Sequence, residues 1–171
     1  LAPETVKTSL ANAKLFPLSG ERGYCVKDEY NKKIGYILYT DKKSTLIFSF
    51  KDSILFDDEV GKLSIRSHGQ DRYRIEKYQV RYKYRKCGIA YLLLKLMINM
   101  LQQQSGTALY TYPQSSNDYG DPRLVPYDLY NTYHRQGFRF QDTELEKRFV
   151  DENSEKDVFN TPEHIMILSL V

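Results

Sequence analysis

The stretch VRYKYRKCGIAYLLLKLM, residues 80–97, crowds Arg81, Lys83, Arg85 and Lys86 around one glycine, Gly88, and then turns apolar. Where an extended segment turns into a helix, the first N–H groups of the helix lack intrahelical acceptors. The helix dipole presents its positive end at the same place. The chemistry this suits is capture of an anion, above all a phosphate. Gly88 lets a ligand come close to the backbone, and Ala90 is nearly as small. Two other readings stay open on these residues. One is a solvated basic loop before an ordinary helix. The other is a nucleic-acid surface, because basic and aromatic residues interleave across 72–86; alternation along a strand would split them between two faces. A P-loop is excluded, since no G-K-[ST] follows.

The elements needed to hold such a turn are legible on both sides. Upstream, RYRIEKYQV alternates Tyr73, Ile75, Lys77 and Gln79 against Arg74, Glu76, Tyr78 and Val80, as a strand does. Downstream, Ala90, Leu93, Leu94, Met97 and Leu101 fall on one helical face, which Ser105 and Gly106 should end. Before the loop, GYCVKDEY, NKKIGYILYT, STLIFSF and GKLSIRS read as strands of an antiparallel meander with turns at Asn31, Asp41 and SHGQD. Residues 8–16 read as a short helix ended at 17–20. After Gly106 the reading is a strand at TALYTYP and a loop at QSSNDYGDPRL. A helix follows at PYDLYNTYHRQ, with Pro126 at its first position and Gly137 just past its end. FRFQDTE reads as a strand, LEKRFVDENSEKD as an exposed acidic excursion, and HIMILSLV as a closing strand. The expected late order is strand, helix, strand, helix, strand, strand, with a right-handed parallel crossover around Gly88.

Composition bounds the rest. A chain of 171 residues suits one domain, here expected to run over 1–171. A net charge of +3 does not by itself argue for a nucleic-acid partner, and none is expected. Cys25 and Cys87 are too few for a disulfide framework, and with three scattered histidines no metal site is expected. A reducing compartment is the default, no segment is long and apolar enough to span a bilayer, and the expectation is a cytoplasmic protein. The chain opens at Leu1 and not at a methionine, so residues upstream of it remain open.

RKCGIA fits R-x-x-G-x-A between a strand ending in valine and the helix YLLLKLM. This resembles motif A of the GCN5-related N-acetyltransferases, the GNAT superfamily, whose pattern is Q/R-x-x-G-x-G/A. The longer string VRYKYRKCGIA is similar to that family's V-x-P-x-Y-R-x-x-G-I-G stretch. Tyr82 stands where proline is common, and Ala90 replaces the last glycine, which the family permits. Farther on, YNTYHRQGFRF resembles the family's A-x-x-L-Y-x-x-x-G-F signature, with Tyr133 at its tyrosine and Gly137 and Phe138 at its G-F pair. Pro126 occupies a place where the family often has asparagine. The resemblance covers roughly 73–140 and the last strand; residues 1–70 match poorly.

The resemblance implies an α+β GNAT fold: a mixed central sheet, with an antiparallel N-terminal meander and a parallel crossover around the coenzyme A loop, flanked by helices. It implies acetyl-CoA as co-substrate, cradled at its pyrophosphate by the backbone of Arg85, Lys86, Cys87, Gly88, Ile89, Ala90 and Tyr91. Val80 would hold the pantetheine arm through its main chain, near Tyr110 and Tyr112, and polarise the thioester carbonyl. The reaction implied is direct attack of an amine on the thioester, with Tyr133 protonating the departing thiolate. A phenol near pKa ~10 and a thiol near ~8.5 differ by roughly 2 kcal/mol. Glu76 is the candidate base, with a salt bridge to a neighbouring arginine as its alternative; His68 and His134 are lesser candidates. Cys87 is not expected to act as a nucleophile. The acceptor amine, a small molecule or a protein group, stays open. The alternative is a catalytically inactive GNAT-fold CoA-binding or interaction module.

Overall fold

The computed structural model describes residues 3–20, 22–52, 59–69, 71–114, 118–151 and 156–171. It divides into two compact units, one of residues 1–66 and 76–99, the other of 67–75 and 100–171. The strands Glu59–Ser67 and Arg72–Val80 and the helix Ile89–Gln103 each contribute residues to both.

The first unit holds α1 (Pro3–Leu10), β1 (Lys14–Pro17), β2 (Gly23–Lys27), β3 (Lys33–Lys42), β4 (Thr45–Lys51) and β5 (Glu59–Ser67). It also holds the end of β6 (Arg72–Val80) and most of α2 (Ile89–Gln103). Strands β2 to β5 form the expected antiparallel meander, and β1 adds to its edge against β2. Its tightest hairpin closes at the Lys42–Thr45 pair, with Lys43 in the left-handed region at φ 56°. Period-two alternation decides which side chains are inside: Phe48 and Phe50 are buried on β4, while their neighbours are partly exposed. On β5 both faces are covered at this point, since Ser64 is buried along with Leu63 and Ile65, and Phe48 lies opposite Leu63. On α2, Leu93, Leu94 and Met97 are buried as the helical period requires. Each such side chain contributes about 1.5–3 kcal/mol on leaving water.

The second unit holds the start of β6, the end of α2, β7 (Ala108–Thr111), α3 (Pro126–Arg135), β8 (Arg139–Phe140), α4 (Thr143–Val150), a 3-10 turn (Lys156–Phe159) and β9 (Met166–Ser169). The crossover through α2 is parallel as expected, with Arg72 opposite Ala108 and Arg74 opposite Tyr110. Strand β9 runs antiparallel to β7 on one side and to β8 on the other. Ser105, at φ 60°, and the Gly106 N–H bond to the Leu101 carbonyl end α2 where the sequence places its stop. Pro126 opens α3, and the Gly137 N–H bonds back to His134.

Three expectations are corrected. The first helix lies at Pro3–Leu10 and not over 8–16, where Lys14–Pro17 instead pairs with β2. The strand expected at FRFQDTE is only Arg139–Phe140, because Asp142 accepts hydrogen bonds from the N–H groups of Glu144 and Leu145 and starts a helix there. The acidic excursion is therefore partly α4 and the turn after it; residues 152–155 lie outside the described residues. Glu, Lys and Arg favour helix, and Leu145 and Phe149 share one face. Phe149 stacks 5.1 Å from Phe140 and 5.1 Å from the buried Phe159. The late order is strand, helix, strand, helix, strand, helix, strand.

Among the described residues no helix is long and apolar enough to cross a membrane. No group of three or more His, Cys, Asp and Glu side chains suited to a metal gathers among them.

Candidate functional site

Strand β6 reaches Val80 and is pinned there. The Arg81 N–H donates to the Val60 carbonyl at 2.8 Å, and Arg81 Nε donates to the Glu59 carbonyl at 2.6 Å. Gly61 makes this close approach possible: a Cβ there would lie 3.1 Å from Val80 Cγ2 and 3.3 Å from Ile89 Cγ2. The chain then makes a 3-10 turn over Tyr82–Tyr84 and returns to extended backbone at Arg85.

Two left-handed residues follow, Lys86 at φ 62° and Gly88 at φ 94°, with Cys87 between them. A lysine held there costs about 1–2 kcal/mol, a strain that persists only where its surroundings enforce it. The Leu92 N–H donates to the Gly88 carbonyl at 3.0 Å, so Gly88 caps α2. The N–H groups of Ile89, Ala90 and Tyr91 belong to the helix end and have no acceptor within the helix. A Cβ placed on Gly88 would meet nothing within 4 Å, so open space lies in front of the turn.

That space is a cavity of about 430 Å³. Gly88, Lys86 and Cys87 line it from the loop, Tyr91 and Lys95 from α2, and Lys7 and Leu10 from α1. The Tyr91 ring is 61% exposed. The loop thus joins helix-end N–H groups, an open glycine and three lysines, which suits an anionic ligand.

Arg85 turns inward. Its Nε makes a long 3.4 Å hydrogen bond to the Val80 carbonyl, and its guanidinium stacks 5.3 Å from the Tyr82 ring centre. Cys87 is buried, and its Sγ donates to the Pro3 carbonyl at 3.4 Å. Burial first and the Glu4 carboxylate second push its pKa up, while Lys7 pulls the other way. A raised pKa lowers the thiolate fraction on which the reactivity of a cysteine depends.

Val80 and residues 85–91 lie in the first unit, and Glu76 lies there too, on β6. Glu76 Oε1 is 3.3 Å from Arg66 Nε, and the two side chains are 35% and 53% exposed. A pair this exposed contributes at most about 1 kcal/mol.

Tyr133 belongs to the second unit. It is buried on α3, with Phe138 packed edge-on at 5.2 Å. Burial raises its pKa well above the ordinary phenol value, and a hydrogen bond with the Thr111 side chain offsets this only in part. Thr111, at the end of β7, is itself buried. The opposite face of β7 carries Tyr110, with the Arg72 guanidinium 5.4 Å from its ring centre; Tyr112 just beyond sits 4.7 Å from Arg74. His134 Nε2 lies 2.8 Å from Glu146, linking α3 to α4, and His68 is exposed beside Tyr110.

The sequence reading missed three contributors to the loop site. Lys95 was detectable, because it lies one helical turn beyond Tyr91. The contribution of α1 was not, since nothing local in PETVKTSL announces a contact with residues 86–95. Tyr78, whose hydroxyl bonds the Ala90 carbonyl at 2.6 Å, reads in sequence only as a strand residue.

No protein-family model matches the chain, and no curated protein sequence matches it. Solved structures do. A GNAT-family acetyltransferase from Staphylococcus aureus Mu50 superposes with a TM-score of 0.50 at 14% identity, over 75% of this chain and 69% of that one. A protein described as a GNAT-family acetyltransferase from Desulfovibrio desulfuricans gives 0.51 at 14% identity, over 75% and 71%. One described as an N-acetyltransferase from Lactobacillus plantarum gives 0.50 at 16% identity, over 77% and 73%. With the parallel crossover and the glycine turn between β6 and α2, these likenesses establish that the chain has the GNAT fold, the fold of the GCN5-related N-acetyltransferases.

Proposed function

We propose that the chain binds acetyl-CoA and transfers its acetyl group to an amine. The observation that carries this reading is the turn at Lys86 and Gly88, which opens helix-end N–H groups onto a lysine-lined cavity. The residues fit the ligand: the place a Cβ would take on Gly88 is empty, and the charge around it is positive. The backbone from Arg85 to Tyr91 holds the pyrophosphate, and the main chain of Val80 orients the thioester arm. A neutral amine attacks the thioester carbonyl. The new C–N bond forms, the C–S bond breaks, the amine proton goes to a base and the departing sulfur takes a proton. Tyr133 is the proposed donor to that sulfur and Glu76 the proposed base. Because burial raises the Tyr133 pKa, the proton lies more uphill than the roughly 2 kcal/mol separating free phenol and thiol. The hydroxyl acts by hydrogen-bonding the sulfur as charge develops on it, with Thr111 holding its position.

The burial of Tyr133 also favours a second reading, a CoA-binding module without turnover in which Tyr133 is a packing residue. Release of free thiol from acetyl-CoA, measured with a panel of amines, separates the two. Amine-dependent thiol release supports the transferase. Calorimetric binding of CoA without thiol release supports the module, and absence of binding overturns both.

A further inference from the structure

We infer that β6 and β7 carry a docking surface for an extended acidic peptide, built from Arg72 and Arg74 stacked on Tyr110 and Tyr112. It reads carboxylates on alternate residues of the peptide. The surface lies wholly in the second unit and does not rest on the acetyl-CoA reading.

The strand period sets the pattern. Arg72 and Arg74 stand two residues apart and share one face of β6; Tyr110 lies on β7 and Tyr112 just past its end. The parallel register puts Arg72 opposite Ala108 and Arg74 opposite Tyr110. Each arginine therefore meets the tyrosine one pair farther along. The Arg72 guanidinium is 5.4 Å from the Tyr110 ring centre, and that of Arg74 is 4.7 Å from the Tyr112 ring centre. The same arrangement thus occurs twice in succession. The two rings lie edge to face with centres 6.5 Å apart, and His68 lies edge-on to Tyr110 at 6.2 Å.

Neither guanidinium has an ion-pair partner among the described residues. Glu76, the next acid along β6, is engaged by Arg66 at 3.3 Å. Arg74 Nε is closed off from solvent and has no hydrogen-bond partner, so ring stacking holds this head group. Arg72, Tyr112 and His68 are exposed, and Arg74 and Tyr110 are half-buried. An arginine without an acid, held over a ring, is a planar donor fork oriented before its ligand arrives.

Such a fork suits a carboxylate or phosphate, taken through two N–H groups. Spacing chooses the carrier. Side chains two residues apart on a strand are separated by about 6.6 Å. An extended peptide has the same period, so acids at i and i+2 meet both forks together while the residue between them points away. Adjacent acids point to opposite sides, and only one can be met. A single-stranded nucleic acid fits less well, because its bases need open ring faces and a guanidinium already covers one face of each tyrosine.

The test is fluorescence anisotropy of the full chain with labelled peptides of about eight residues, blocked at both ends, at one fixed ionic strength. One peptide carries two glutamates at alternate positions among serine and threonine. The second has the same composition with the glutamates adjacent, and the third has glutamines at the alternate positions. The wild type should bind the alternate peptide about fivefold or more tighter than the adjacent one, and the glutamine peptide least. Arg72→Gln/Arg74→Gln should weaken the alternate peptide about tenfold or more, as for charge-assisted contacts, and bring the first two peptides within about twofold. Tyr112→Leu keeps both charges and removes the support of Arg74, so affinity should fall about threefold or more; a patch acting through charge alone would not respond. Equal binding of the alternate and adjacent peptides, or no binding of either, would overturn the inference on the wild type, whatever the variants do. Wild-type affinity in the double variant would overturn it as well. Tighter binding of a thymidine trinucleotide, which also carries two charges, would replace the peptide with a nucleic acid.

Discussion

The hydroxyl of Tyr78 donates a 2.6 Å hydrogen bond to the carbonyl oxygen of Ala90, tying the end of β6 to the first turn of α2 across the loop between them. The bond closes the ends of the segment that carries Lys86 and Gly88. Tyr78→Phe keeps the ring and removes the tie. Stability should fall by about 0.5–1.5 kcal/mol, the usual net worth of such a bond. Affinity for CoA should fall severalfold, because the helix-end N–H groups lose their fixed aim. Urea unfolding and calorimetry read the two effects separately; if both stayed at wild-type values, the tie would have no part in shaping the loop.

Gly88 separates backbone strain from occlusion. At φ 94° with open space before it, Gly88→Ala creates no clash and costs about 1–2 kcal/mol of conformational strain. The alanine variant should remain folded and bind CoA more weakly. Gly88→Glu adds the same strain and also puts a carboxylate where a phosphate should lie, so CoA binding should be lost. Glutamate and alanine variants with equal affinity would remove the anion site from this turn.

Most strands and both principal helices were readable because their information is local. Period-two alternation marks β4, β5 and β6, and the 3.6-residue period of Leu93, Leu94, Met97 and Leu101 marks α2. The glycine turn was readable for the same reason, since its strand, basic residues and helix are contiguous. What failed depends on chain ends and on charge masking. The short α1 shows no strong period, and its role is set by which loop it lies against. Helix α4 hides among charged residues, with Leu145 and Phe149 as the apolar pair on one face and Val150 exposed at its end. Tyr133 itself was half readable: its place before Gly137 and Phe138 marked it as a candidate, while the burial that raises its pKa comes from tertiary packing.

Cys87 lies against the proposed ligand without serving the chemistry. Its raised pKa and its contact with Pro3 predict slow alkylation by iodoacetamide at neutral pH. Bound CoA should slow it further by covering the loop. Cys87→Ala should keep turnover within about threefold. A loss of a hundredfold or more in a folded, CoA-binding variant would restore a covalent role.

Glu76 tests the base assignment. Its ion pair with Arg66 is exposed, so Glu76→Gln should change stability by no more than about 1 kcal/mol. If the carboxylate takes the amine proton, turnover should fall at neutral pH and recover partly at higher pH, where more of the acceptor is already neutral. A pH profile parallel to the wild type would leave Glu76 as the partner of Arg66 and nothing more.

Tyr133 joins stability to function. Its folded pKa is raised above the unfolded value of 10.0, so the folded state holds its proton more tightly. The stabilisation is therefore complete below about pH 10 and is lost as pH rises above it. Tyr84 and Tyr130 are shifted in the same direction, so Tyr133→Phe should reduce the alkaline loss of stability without abolishing it. The same substitution leaves the ring against Phe138 and removes only the hydroxyl that Thr111 positions. Affinity for acetyl-CoA should barely change, while turnover should fall by about 10²–10³, the range for losing a general acid. The defect should shrink with an acyl donor whose thiol is a better leaving group, since that sulfur needs less help. Thr111→Val should produce a smaller loss of the same kind, because it frees the hydroxyl without removing it. Full turnover in Tyr133→Phe, under conditions where chemistry limits the rate, would make Tyr133 a packing residue and move the proton to another donor.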